Sequence, residues 1–156
     1  MFSLDMVQKI VDRLADEFGL FGLGVDVLKD DDLENQMNAC ADFEAFEIHF
    51  TQPLLDKLFH RGVLFIIAHE CSHITCCHQN NNGNSHLREF EADETAFDML
   101  EFLGVPRSTI PNLVKKVSDT FEQEDNSEYL EFESYTHPSF KQRIESIKQR
   151  IKEGEL

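Results

Sequence analysis

The sequence predicts an α+β fold, mainly α, in one domain spanning residues 1–156, with a small sheet ahead of a buried central helix. Three observations carry this. Apolar residues recur at three- and four-residue steps along most of the chain, the period of helices packed by one face. Alternation at a period of two is confined to short stretches between residues 21 and 50, enough for two or three strands. A chain of 156 residues that is 41% hydrophobic and carries 14 Phe buries a sizeable core, roughly 70% of its unfolded surface for one domain of this length.

Taken in order, Leu4, Val7, Ile10, Val11, Leu14 and Phe18 form an apolar stripe that stops at Gly19, an amphipathic packing helix. Phe21, Leu23, Val25 and Val27 alternate with Gly22, Gly24 and Asp26 as a strand does, and Asp30, Asp31 and Asp32 end it in a charged turn. That acidic run lacks the glycine and terminal glutamate of an EF-hand, so it reads as a solvated turn. A second strand begins at Asn38 to Ala41, and Phe46, Ile48 and Phe50 alternate with Glu47 and His49 in a third. Residues 46–50 are the expected sheet edge, where an extended peptide could be held by main-chain hydrogen bonds. Thr51, Gln52 and Pro53 turn the chain into a short helix through Leu54, Leu55, Leu58 and Phe59.

The central helix, residues 62–78, holds an HExxH element: His69, Glu70 and His73. Residues four apart share a helix face, so the two imidazoles can close on one metal ion, and Glu70 falls beside that ion as a general base. Val63, Leu64, Phe65, Ile66, Ile67 and Ala68 before them are apolar on nearly every side, which predicts burial. Helical phase puts Cys76 on the side of the two histidines, turns His78 away from them, and sends Cys71 to the core with Ile67 and Ile74. After the Asn80 to Ser85 loop, residues 86–103 read as a helix stopped by Gly104 and Pro106. It carries Glu89 and Asp93 four apart. Two histidines leave room for a third protein ligand, and Glu89 is the carboxylate assigned to it; Asp93 one turn on would accept an imidazole N–H. Glu91 and Glu94 point elsewhere, into solvent.

HECSH followed by EFEAD resembles the HtpX family of zinc metallopeptidases, which includes the CAAX prenyl endopeptidases and the Oma-type proteases. Asn38-Ala39 upstream, Gly104-Val105-Pro106 after the second helix, and Thr136-His137-Pro138-Ser139 followed by Arg143 are similar to elements of the same family. The likeness covers about residues 38–151. It implies a zincin-like domain of the gluzincin type, one Zn2+ per chain on His69, His73 and Glu89, Asp93 behind the ligands, and His137 and Arg143 near the oxyanion or substrate carbonyl. Cys71 and Ser72 stand where that family often has an aliphatic residue and glycine. The implied activity is a zinc-dependent endopeptidase acting on a protein or peptide, with Glu70 as base. Alternatives are a repressor-cleaving peptidase of the ImmA/IrrE type and a zinc-binding domain that only binds a partner.

The rest of the chain sets limits. Thirty acidic against 14 basic residues give a net charge of -16, which repels phosphate backbones and argues against nucleic acid as a partner. The N-terminus is not a secretory signal, the apolar run 63–68 is too short to span a bilayer, and no membrane insertion is expected. Four cysteines without a CxxC pair suggest a reducing compartment, hence a cytoplasmic protein. Ile110, Val114, Val117 and Phe121 predict a helix over 107–122, and residues 122–133 an acidic loop or flap over the cleft. Phe140, Ile144, Ile147 and Ile151, interleaved with Lys and Arg, predict a final amphipathic helix whose basic face pairs with the acidic body.

Overall fold

The computed structural model describes residues 2–28, 37–76, 85–123 and 140–156, the side chains of 85–90 and 140–144 excepted. Within them the architecture is mainly helical with one three-stranded sheet.

Helix α1, Leu4–Phe18, starts where the Ser3 hydroxyl accepts the Met6 N–H (3.2 Å) and ends at Gly19, whose φ of 70° is a left-handed cap. Val7, Val11 and Leu14 are its fully buried stripe, as the spacing predicts. The first strand is shorter than its alternation suggests. β1 is Gly24–Val27, because Gly22 takes φ 81° and holds 21–22 in a turn that leaves Phe21 69% exposed.

β2, Ala39–Asp42, and β3, Glu47–Phe50, follow. The sheet order is β1-β3-β2, with β1 parallel and β2 antiparallel to β3. This corrects the expected edge: β3 is the central strand, hydrogen-bonded on both sides, and has no free edge to offer a peptide. Its alternate residues Ile48 and Phe50 enter the core, and a strand that buries this face gains from neighbours on both sides. Thr51 closes the sheet. Its buried hydroxyl donates to the Asn38 carbonyl (3.2 Å) and accepts the Asn38 N–H (2.9 Å), tying the exit of β3 to the entry of β2.

Helix α2, Gln52–Lys57, has Pro53 in its first turn, where a missing N–H costs nothing. Helix α3, His60–Thr75, then runs through the core with nearly every residue buried from Gly62 to Ile74. Gly62 is there for closeness: a Cβ at that position would lie 2.9 Å from Leu58 Cγ and 3.0 Å from the Phe59 ring, so a side chain at the α2–α3 elbow would force Leu58 and Phe59 to shift. Phe65, Ile66 and Ile67 are fully buried, at about 1.5–3 kcal/mol of transfer free energy each. The helix is also shorter than expected. It ends at Thr75, where Cys76 N–H bonds the Ser72 carbonyl (2.9 Å) with non-helical backbone, and Cys77 and His78 lie outside the described residues. The Thr75 hydroxyl donates to the Phe18 carbonyl (2.8 Å) and fixes this end against α1.

Helix α4, Ser85–Phe102, packs along α3 and buries Ala92, Ala96, Phe97, Met99 and Leu100. Two alanines on its inner face let the helix axes approach. Gly104 (φ 94°) and the Val105 N–H to the Leu100 carbonyl (2.9 Å) end it. A 3-10 turn, Arg107–Thr109, replaces the expected first turn of α5, Ile110–Gln123. The final helix α6, Phe140–Lys152, packs on α5, and α5 in turn on α3. No helix among the described residues is long and apolar enough to cross a membrane.

Candidate functional site

The site is built on the second half of α3, which the hydrophobic run before it forces into the core. His69 is 0%, Glu70 5% and His73 2% exposed, so three polar side chains lie where an unsatisfied polar group costs roughly 1–3 kcal/mol or more. The helix repeat brings the two imidazoles together, with ring centroids 5.8 Å apart and planes at 89°. Phe65, one turn earlier, lies 5.7 Å from the His69 ring and walls it on the other side. Ser72 completes this turn. Its hydroxyl donates to the His69 carbonyl (2.6 Å), so a serine there is satisfied within the helix.

The donor chemistry suits a divalent ion. An ion about 2 Å from one nitrogen of each ring would set the centroids roughly 5 Å apart at a tetrahedral angle, and the 5.8 Å here is somewhat wider than that. Among the described residues no group of three His, Cys, Asp or Glu side chains is close enough to hold an ion. The sequence-assigned third ligand, Glu89, has its side chain beyond the described set. Its backbone lies in α4, one turn before Asp93, on the helix that packs along α3.

Glu70 bears on the opposite neighbour. The Cys40 thiol of β2 is pushed up to about 12, by burial first, then by the charges of Glu70 and Asp42. The buried Cys71 thiol is raised too, by burial and then by Glu70. Both cysteines are neutral thiols at physiological pH, and the carboxylate of Glu70 is near enough to β2 for its charge to be felt there. Cys76 has its Sγ 3.4 Å from the Thr95 hydroxyl of α4, a contact made across the two helices.

Asp93 is 2% exposed, and its Oδ2 accepts from Arg150 Nη1 of α6 at 2.5 Å. Arg150 is itself 7% exposed, and its Nε is 3.9 Å from Glu155 Oε2. Sequence reading missed this arginine, although a signal exists: Arg150 stands three residues after Ile147, on the apolar stripe and not on the basic face. Glu91 and Glu94 are exposed, as their phase predicts. His137 lies outside the described residues, as does most of the 122–133 stretch; Arg143 lies in α6, its side chain beyond the described set.

The sheet adds an edge. Among the described residues β2 is hydrogen-bonded on one side only, to β3, and it packs against α3. The edge near Glu70 is thus residues 39–42 and not 46–50.

Comparison with known proteins gives no match among curated proteins and none among solved structures. One family model does match, over residues 21–103, and its family is Peptidase U49 rather than specifically the HtpX type. The matched stretch runs from the turn before β1 to the end of α4 and so takes in the whole sheet and both helices of the site. It is more than half of the 156 residues, and the chain belongs to the Peptidase U49 family.

Proposed function

We propose that this peptidase is a zinc-dependent endopeptidase with a zincin-like centre, its metal held by His69, His73 and Glu89. The observation that carries the reading is the pair of buried imidazoles on α3 with Glu70 between them, in a chain of a peptidase family. Zinc in that place supplies Lewis acidity toward a water and toward the scissile carbonyl.

The chain's own residues do the rest. Glu70 takes a proton from the attacking water and returns it to the leaving amine, a role for which a carboxylate adjacent to the ligands and nearly closed to solvent is suited. Asp93 would back the ligand set, and His137 and Arg143 are the residues the family resemblance assigns to the oxyanion or substrate carbonyl. An extended substrate adds to the sheet along β2, where main-chain hydrogen bonds hold it without regard to most side chains. The net charge of -16 then favours substrates with a positive balance.

The test is digestion of casein and of a peptide library, with and without a chelator. Glu70→Gln is expected to keep its zinc and to lose cleavage, and a variant cutting at the wild-type rate would remove Glu70 from the mechanism. Glu89→Ala is expected to lose zinc affinity, whereas Glu91→Ala, on the exposed side of α4, keeps it. Equal loss from both would move the third ligand elsewhere.

A further inference from the structure

We infer that Arg150 is a positioning residue of the metal centre: through its buried ion pair with Asp93, the C-terminal helix sets the turn of α4 that carries Glu89. This rests on the metal reading proposed above and extends it to a helix outside the family match, which ends at residue 103.

α4 packs directly on α3, and α6 packs on α5, which in turn packs on α3. The Asp93–Arg150 pair joins α4 to α6 and so closes a ring of four helices, α3 to α4 to α6 to α5 and back. Ile147, fully buried one turn before Arg150, fixes α6 in the core, so the guanidinium is presented from an anchored helix. The joint falls on α4 one turn from Glu89, at the place where a rotation of the helix would carry a ligand off the metal.

Its chemistry agrees. Two buried ions give up hydration that their attraction only about repays, so an apolar pair of similar volume would hold two helices as well or better. What an ion pair can add is register, since the Arg150 Nη1–Asp93 Oδ2 contact forms only while the two helices bring these residues face to face. A device that fixes register without adding stability is suited to a helix whose setting matters for a ligand. The same bond helps to orient the Asp93 carboxylate.

The experiment uses the full chain. Zinc dissociation constants are measured by competition with a chromogenic chelator, and unfolding midpoints on the metal-free protein, for wild type, Arg150→Gln, Arg150→Lys, Asp93→Asn and the double variant D93N/R150Q. Arg150→Gln is expected to weaken zinc binding by roughly 10- to 100-fold, the range seen when a residue behind a ligand is lost. Arg150→Lys should recover part of that, and the double variant should bind no more weakly than Asp93→Asn alone, since the arginine acts through the aspartate. Zinc binding by Arg150→Gln within about twofold of wild type, with a lowered metal-free midpoint, would leave the arginine a purely structural role and overturn the inference. If Arg150→Gln does not fold, Arg150→Lys decides: zinc binding weakened by more than about threefold supports the assignment, and binding within about twofold of wild type overturns it. A wild-type chain that takes up no zinc overturns the metal reading and this inference together, whereas zinc uptake insensitive to Arg150 overturns this one alone.

Discussion

Two arginines grip helix α4, and they do so under opposite conditions. Arg150 meets Asp93 in the interior, where the side chains are 9% and 2% exposed. Arg107 meets Asp98 (3.1 Å) and Glu101 (3.3 Å) at the C-terminal end of the same helix, where exposures are 40%, 59% and 42%. The guanidinium of Arg107 also lies over the Phe97 ring, 5.7 Å from its centroid. Each guanidinium reaches carboxylates, but water and salt screen the outer group, and side-chain entropy opposes what remains. The presence of carboxylate partners alone therefore does not separate the two. Burial decides, because an ion deprived of its partner in the interior cannot turn to water instead.

The largest expected effect breaks the inner grip. Arg150→Ala leaves Asp93 buried without its guanidinium and should cost about 3–5 kcal/mol in urea unfolding of the metal-free protein. A loss under about 1 kcal/mol would mean that water reaches Asp93 and that the contrast with Arg107 fails. Arg107→Ala is the matching outer test. It should cost no more than about 1 kcal/mol, and the difference from wild type should shrink further in 1 M salt, where the screening length is about 3 Å.

The smallest effect asks how far a third buried charge reaches. Glu70, like Asp93, sits on a site helix nearly closed to solvent, and its charge helps to raise the Cys40 thiol to about 12. In the metal-free protein Cys40 should react slowly with iodoacetamide at neutral pH, and Glu70→Gln should speed the reaction by lowering that pKa part of the way. An unchanged rate would place the carboxylate too far from β2. A thiol raised from 9.0 holds its proton more tightly in the folded chain. Its contribution is intact below about pH 9 and falls away as pH climbs toward 12, so stability declines in alkali.

Much of the site is legible in the residues of a single helix. His69, Glu70 and His73 can be assigned to one buried helix because a repeat of 3.6 residues and an apolar run are local facts, and α3 carries them with little help from the rest of the fold. The same holds for α1, whose stripe and glycine cap match at both ends. The peptidase family is legible at the coarse level from the same residues. The length of α3 is less so, since the Cys76 turn depends on where Thr75 and Cys76 find partners on α1 and α4.

Left to itself, then, the sequence determined which stretches are helices and strands, which of their faces are apolar, and which three side chains of α3 share a turn. Strand order was beyond it. Alternation at a period of two is the same for a central strand and an edge strand, so only the assembled sheet could put β3 in the middle and leave β2 beside Glu70. Arg150 was beyond it for a related reason. Its partner lies 57 residues away on another helix, and whether a charge on an apolar stripe is a defect or half of a pair is settled by what the tertiary fold packs against it.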